Sequence, residues 1–271
     1  NINYTSAFTK QTTDIPTSID NKWDFVNLPH SWNAIDGQDG GSDYYRGTAI
    51  YAKELDKEDL PEAERYYIEI NGANSSADLY VNGKKLAHHD GGYSTWRVDI
   101  TENPKGLIVI AVDNSPSNRV YPQVADFTFY GGLYRDVNLI AVAASHFDLE
   151  YYGGPGIKVT PIVDGDNASV EVEVFTTPLA EGQTLVYTIY DKEENQLQQI
   201  KSTESKVSFT IENAHLWQGR KDPYLYTAVA ELVEGEYVID DVNTDFGCRT
   251  FEIDPERGFI LNGEEYPLRG V

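Results

Sequence analysis

Nothing in this chain constrains its fold more than the brevity and alternation of its apolar segments. Residues 66–70 end in Asn71-Gly72, and residues 77–81 run into Asn82-Gly83 and return through Lys84, Lys85 and Leu86. Period-two alternation puts every second side chain on one face of an extended strand. Asn-Gly between two such segments is a hairpin signal, because both central residues of a type I′ turn need φ > 0. Val170, Val172 and Val174 alternate with Glu171 and Glu173, which predicts a strand with one wet face. Residues 107–112 form an unbroken apolar run, suited to a strand covered on both faces. Residues 185–190, 207–211 and 226–233 repeat the pattern. Helical periodicity is nearly absent; residues 56–65 could form one short turn, which Pro61 interrupts. Many short strands with turn signals every ~8–12 residues predict an all-β chain built of sandwiches or jelly rolls.

A length of 271 residues predicts two domains at about 100–200 residues each. After residues 137–142 the chain turns polar and then glycine-rich at Gly153-Gly154-Pro155-Gly156, with new strands beyond. A second boundary lies near Thr250. Beyond it Asp254-Pro255-Glu256-Arg257-Gly258 is a turn, and residues 259–268 form another hairpin around Asn262-Gly263. The expected division is 1–142, then 143–250 at a size near the ~100 residues of an immunoglobulin-like sandwich, then a tail, 251–271. A lone hairpin is marginal in water, so the tail is expected to pack on something that follows, where a third domain begins. Methionine is absent, position 1 included, which is read as a chain that starts inside a longer gene product. Asn1-Ile2-Asn3-Tyr4 shows no basic stretch leading into an apolar one. A periplasmic or secreted location is expected ahead of a cytoplasmic one.

Charge narrows the function classes. With 44 acidic against 21 basic residues the net charge is −23, which argues against nucleic acid, whose binders neutralise phosphates with Lys and Arg. It argues equally against an anionic membrane surface. The 19 Tyr, 10 Phe and 4 Trp supply cores that a disordered chain lacks, and tryptophans or tyrosines left in loops could stack on sugar rings. Cys248 stands alone, so neither an intrachain disulfide nor a thiolate cluster is available. Residues 36–43 carry Asp36, Asp39 and Asp43 but do not match a helix–loop–helix calcium loop, which needs a Gly at position 6 and a Glu at 12; position 12 here is Gly47. They read as a solvated turn. His88 and His89 are adjacent, so on a strand they face opposite ways and cannot share one ion. No metal site and no cofactor are expected. There is no Gly-x-Ser-x-Gly elbow and no glycine-rich phosphate loop. Asn-x-Ser/Thr triplets begin at Asn3, Asn74 and Asn167 and matter only in a glycosylating host.

Several segments together resemble the N-terminal half of glycoside hydrolase family 2, the β-galactosidases, β-glucuronidases and β-mannosidases. Trp23-Asp24-Phe25-Val26-Asn27-Leu28-Pro29-His30-Ser31-Trp32 is similar to that family's early Trp-x-x-Val-x-Leu-Pro-His-x-Trp segment. Tyr45-Arg46-Gly47 with Tyr51-Ala52-Lys53 resembles its Tyr-Arg-Gly segment. Asn71-Gly72-Ala73, Tyr80-Val81-Asn82-Gly83 and His89-Asp90-Gly91-Gly92-Tyr93 resemble its first hairpin and loop. Gly132-Leu133-Tyr134-Arg135-Asp136-Val137 is similar to the strand closing its first domain. In the second half, Leu216-Trp217, Pro223-Tyr224-Leu225-Tyr226 and Phe246-Gly247-Cys248-Arg249 resemble family segments, as do Phe259-Ile260-Leu261-Asn262-Gly263 and Leu268-Arg269-Gly270-Val271.

The resemblance implies a jelly-roll (galactose-binding-like) β-sandwich, then an immunoglobulin-like β-sandwich, then a (β/α)₈ barrel outside this chain that holds two catalytic glutamates in a retaining mechanism. It implies no catalytic residue here, a carbohydrate substrate met through the full-length enzyme, the enzyme's own barrel as partner, and β-galactosides as the leading substrate. β-Glucuronides, β-mannosides, a stand-alone carbohydrate-binding module and a structural sandwich pair that mediates oligomer contacts are the alternatives. It also implies one substrate-binding residue. Asp126 lies six residues before Gly132, where the family's β-galactosidases extend an aspartate towards the sugar; the alternative is a turn cap or a solvated side chain.

Overall fold

The computed structural model describes residues 6–10, 15–20, 23–34, 45–122, 125 and 127–270. It divides into two compact units, Asn1–Ala143 and Ala144–Val271. The strands of the first are β1 (Ser6–Lys10), β2 (Asp24–Val26), β3 (Thr48–Leu55), β4 (Arg65–Ile70), β5 (Ser76–Val81), β6 (Lys84–Asp90), β7 (Trp96–Asp99), β8 (Gly106–Asp113) and β9 (Val137–Val142). They form a six-stranded sheet in the order β2-β1-β3-β8-β5-β6 and a three-stranded sheet β7-β4-β9, a jelly-roll sandwich. Among the described residues the only helical turn is 3₁₀, Lys57–Asp59, where Pro61 follows closely.

β8 explains its own sequence. Ile108, Ile110 and Val112 enter the core between the sheets, against Ile68, Ile70 and Leu79. Leu107 and Val109 enter a second cluster on the opposite face, covered by Ile15, Ile19 and Trp23. A strand with no wet face needs no polar alternation.

The two Asn-Gly pairs of this unit part company. Asn82 (φ 50°) and Gly83 (φ 80°) close the β5–β6 hairpin, and Asn82 Oδ1 accepts the Leu107 amide at 2.9 Å. Asn71-Gly72 is not a hairpin: β4 pairs with β7 and β9 while β5 pairs with β6 and β8. Residues 71–75 instead carry the chain from one sheet to the other, across the ~10 Å that separates stacked sheets. The Asn71 amide is satisfied by Asp136 O at 3.0 Å.

The second unit contains β10 (Ile157–Asp164), β11 (Asn167–Val174), β12 (Gln183–Tyr190), β13 (Gln196–Ser202), β14 (Lys206–Ile211), β15 (Tyr226–Glu234) and β16 (Tyr237–Phe246). Sheets β10-β11-β14 and β13-β12-β15-β16 make a seven-stranded, immunoglobulin-like sandwich. Val170, Val172 and Val174 are buried in its core with Tyr187, Phe209 and Leu232, while Glu171 and Glu173 on the wet face pair with Lys206 at 3.1 and 3.4 Å. Tyr187 is buried whole and donates its hydroxyl to Glu204 O at 2.7 Å.

Beyond Thr250 the chain forms a meander of β17 (Phe251–Asp254), β18 (Gly258–Leu261) and β19 (Glu264–Glu265), one strand more than the turn-and-hairpin reading. It groups with the second unit. Asn262 ties it down by exchanging bonds with Thr250, at 2.9 and 2.8 Å, and by donating to Trp217 O at 3.0 Å.

Candidate functional site

Several segments of the first unit that carry the family resemblance meet around one stretch of non-strand backbone, residues 129–133. This stretch has a single bridge to another segment, Asn74 to Gly132, so its polar groups need partners of another kind. Asparagine side chains supply most of them.

Asn33, just past the Leu-Pro-His-Ser-Trp motif, and Asn114, just past β8, are both 0% exposed. Asn33 Oδ1 accepts the Gly131 amide at 2.8 Å and Asn114 Nδ2 at 3.2 Å. Asn114 Nδ2 also donates to Phe129 O at 2.8 Å, and its Oδ1 accepts the Gly47 amide at 2.9 Å. Asn33 Nδ2 donates to Tyr45 O at 2.9 Å, where Trp32 Nε1 also donates at 3.3 Å. On the other side Asn74 Nδ2 donates to Tyr130 O at 2.7 Å, and the Asn74 amide to Gly132 O at 3.2 Å. The His30 amide reaches Leu133 O at 2.7 Å. The stretch is a strap held in one conformation by its neighbours.

Two glycines let the strap lie this close. A Cβ on Gly131 would enter the Trp32 ring. Gly132 has φ +119°, and its Cβ would collide with His30 O and the Tyr51 hydroxyl. That hydroxyl bonds His30 Nδ1 at 2.8 Å, and burial pushes its pKa up. Arg46 lies 4.4 Å over the Phe129 ring and donates through Nε to Asn114 O at 2.9 Å. With its backbone engaged inward, the strap presents Tyr130 outward, 42% exposed, and Phe127 just before it is 55% exposed.

Asp126, the substrate-binding residue expected from the resemblance, lies outside the described residues, as do residues 36–43. Asn74, read as the start of a glycosylation triplet, is a buried clamp rather than a surface acceptor. His88 and His89 on β6 separate as strand geometry demands. His88 sits between Asp78 at 2.6 Å and Asp90 at 3.2 Å. His89 stacks on Trp96 with centroids 5.2 Å apart, and burial there lowers its pKa. Burial raises the Asp90 carboxyl, but hydrogen bonds from Ser76, Arg119 and His88 outweigh it and hold the group at about 2. Cys248 is buried, its thiol pushed up to about 11, which makes it inert as a nucleophile. Among the described residues no three His, Cys, Asp or Glu side chains are grouped to hold a metal ion.

Sequence reasoning did not single out Asn33 or Asn114. Asparagine is mostly a surface residue, and the only hint was that Asn33 abuts the Leu-Pro-His-Ser-Trp motif.

Fold and site together define a two-sandwich, all-β module whose first sandwich rigidly displays a loop. Residues 8–143 match the sugar binding domain of glycosyl hydrolases family 2, and residues 155–249 match a second model described as glycosyl hydrolases family 2. The chain belongs to glycosyl hydrolases family 2. It is 32% identical over 280 residues to a β-glucuronidase of Bacteroides fragilis, an alignment covering 93% of this chain and 40% of that protein. It is 26% identical to a β-galactosidase of Thermoanaerobacter pseudethanolicus, over 93% of this chain and 35% of that protein. The crystal structure of an FMN-binding β-glucuronidase from Faecalibacterium prausnitzii L2-6 superposes with a TM-score of 0.87 at 38% identity, covering 100% of this chain and 42% of that one. The chain thus spans about two fifths of the length of these three relatives.

Proposed function

We propose that this chain is the non-catalytic N-terminal region of a retaining β-glycoside hydrolase, and that its first sandwich shapes one wall of the sugar subsite. The observation that carries the reading is the clamped strap at residues 129–133, inside the domain matched as sugar binding. Retaining chemistry needs two carboxylates about 5–5.5 Å apart, and those belong to the barrel expected as this region's partner. Asp126, just before the strap, contributes a carboxylate that accepts charge-assisted hydrogen bonds from sugar hydroxyls.

β-Glucuronides are the favoured substrate, supported by the 32% and 38% identity to glucuronidases. β-Galactosides, the leading reading from the sequence, are the second, supported by the relative at 26%. The test is hydrolysis of nitrophenyl β-glucuronide and β-galactoside by the complete gene product. The larger kcat/KM names the sugar, and turnover of neither refutes the assignment. In the same enzyme Asp126→Ala should lower kcat/KM by about tenfold or more, equivalent to ~1.4 kcal/mol, with Tm nearly unchanged. Unaltered kinetics would return Asp126 to a turn-capping role. The 271-residue chain alone should show no turnover above a heat-killed control.

A further inference from the structure

We propose that Asn33 and Asn114 are positioning residues, whose paired amides set the placement of the strap and thereby substrate affinity. The inference rests on the reading that the strap borders the sugar.

The argument begins with what a buried amide costs. A polar group removed from water must recover its lost hydrogen bonds, and a fully satisfied one roughly breaks even against an apolar group of the same shape. Both side chains are fully buried at the edge of a core that includes Trp32, Tyr51 and Leu133. Stability alone therefore gives no reason to prefer two asparagines there. What they add is direction. Phe129 O and Gly131 N–H lie two residues apart, the spacing that one strand offers a neighbour, and they are met by two amides bonded to each other at 3.2 Å. The pair thus replaces a missing strand. It also anchors to fixed backbone, Tyr45 O at 2.9 Å and Gly47 N at 2.9 Å, beside the start of β3. A shift of the strap along its own axis would break the Phe129 and Gly131 bonds together and leave buried amide atoms unpaired. An apolar contact surface would tolerate that slip. The exposed Tyr130 moves with the strap backbone, and Phe127, just before the strap, packs on Phe129 with ring centroids 5.1 Å apart, so loss of the pair blurs the contact surface without touching the reacting groups.

The test uses Asn114→Ala and, should that variant not fold, Asn33→Ser, which leaves the Asn114 bonds to Gly47 and Phe129 in place. In the 271-residue chain, hydrogen–deuterium exchange of peptides spanning residues 127–133 should accelerate about tenfold, while peptides from β3 and β8 keep their rates. Unchanged strap exchange, or equal acceleration throughout the first unit, would overturn the proposal, because the asparagines would then be ordinary core residues. In the complete enzyme KM should rise about fivefold with kcat held within about twofold, the signature of lost uniform binding. Asp126→Ala serves as the control. If it alters the kinetics and Asn114→Ala does not, the positioning role fails while the sugar reading stands. If neither does, the strap does not border the sugar and both fall.

Discussion

A fully buried asparagine beside a glycine without room for a methyl group is a joint constraint, and its two halves can be tested separately. Gly131 needs no unusual backbone; the Trp32 ring alone excludes a Cβ. Gly131→Ala should therefore destabilise the first unit by about 1–3 kcal/mol through overpacking, read as a lower denaturation midpoint. An unshifted midpoint would mean that the ring moves aside freely. Asp90 gives a pH-dependent prediction. Its carboxyl titrates at about 2 in the folded chain, below its ordinary 3.8, so the folded state releases that proton more readily than the unfolded one. The resulting stabilisation is fully present above about pH 4 and lost as pH falls through about 2. The Tm gap between the unaltered chain and Asp90→Asn should hold steady from neutral pH to about 4 and then close. A gap that widens in acid would contradict the assigned partners.

At the scale of the element, β8 and β10 make a contrast. Val109 is 0% exposed on the face opposite the inter-sheet core, whereas Ile162 on β10 is 62% exposed. Val109→Asp buries an uncompensated charge and should cost about 3–5 kcal/mol. Ile162→Asp should stay within about 0.5 kcal/mol. Equal effects in urea denaturation would show that β8 is not covered on both faces. The run at 107–112 announced this burial because an uninterrupted apolar strand cannot face water on either side. Asn-Gly was a poorer guide. At 82–83 it closes a hairpin, while at 71–72 it starts a passage between sheets, because a two-residue loop joins strands only when they are neighbours in one sheet.

Each unit of the whole molecule holds its own core. Residues 144–271 expressed alone should therefore fold cooperatively, with a single sigmoidal unfolding curve and dispersed amide resonances; a molten product would place part of its stability in the first unit. The net charge of −23 makes both units repel themselves. Raising salt from about 0.01 M to about 0.15 M shortens the screening length from ~30 Å to ~8 Å, and Tm should rise. A fall would mean that the ion pairs around Asp78 and Asp90 outweigh the general repulsion.

The sequence by itself determined the all-β class, the buried course of β8, the one-sided valines of β11 and the turns at Asn82 and Asn262. Each of these is a local property: period-two alternation selects which face is buried, and φ > 0 selects Asn and Gly. The ordered motifs also carried the family. Only the tertiary structure decided what the motifs do. Trp32, Tyr45, Asn74, Asn114 and Gly131 lie up to 99 residues apart, and no periodicity relates them. An asparagine reads as polar and exposed until the backbone atoms that satisfy its amide arrive from elsewhere in the chain. Hydrogen bonding in a buried network is a property of partners rather than of a residue, so the clamp on the strap exists only once the two sheets have closed.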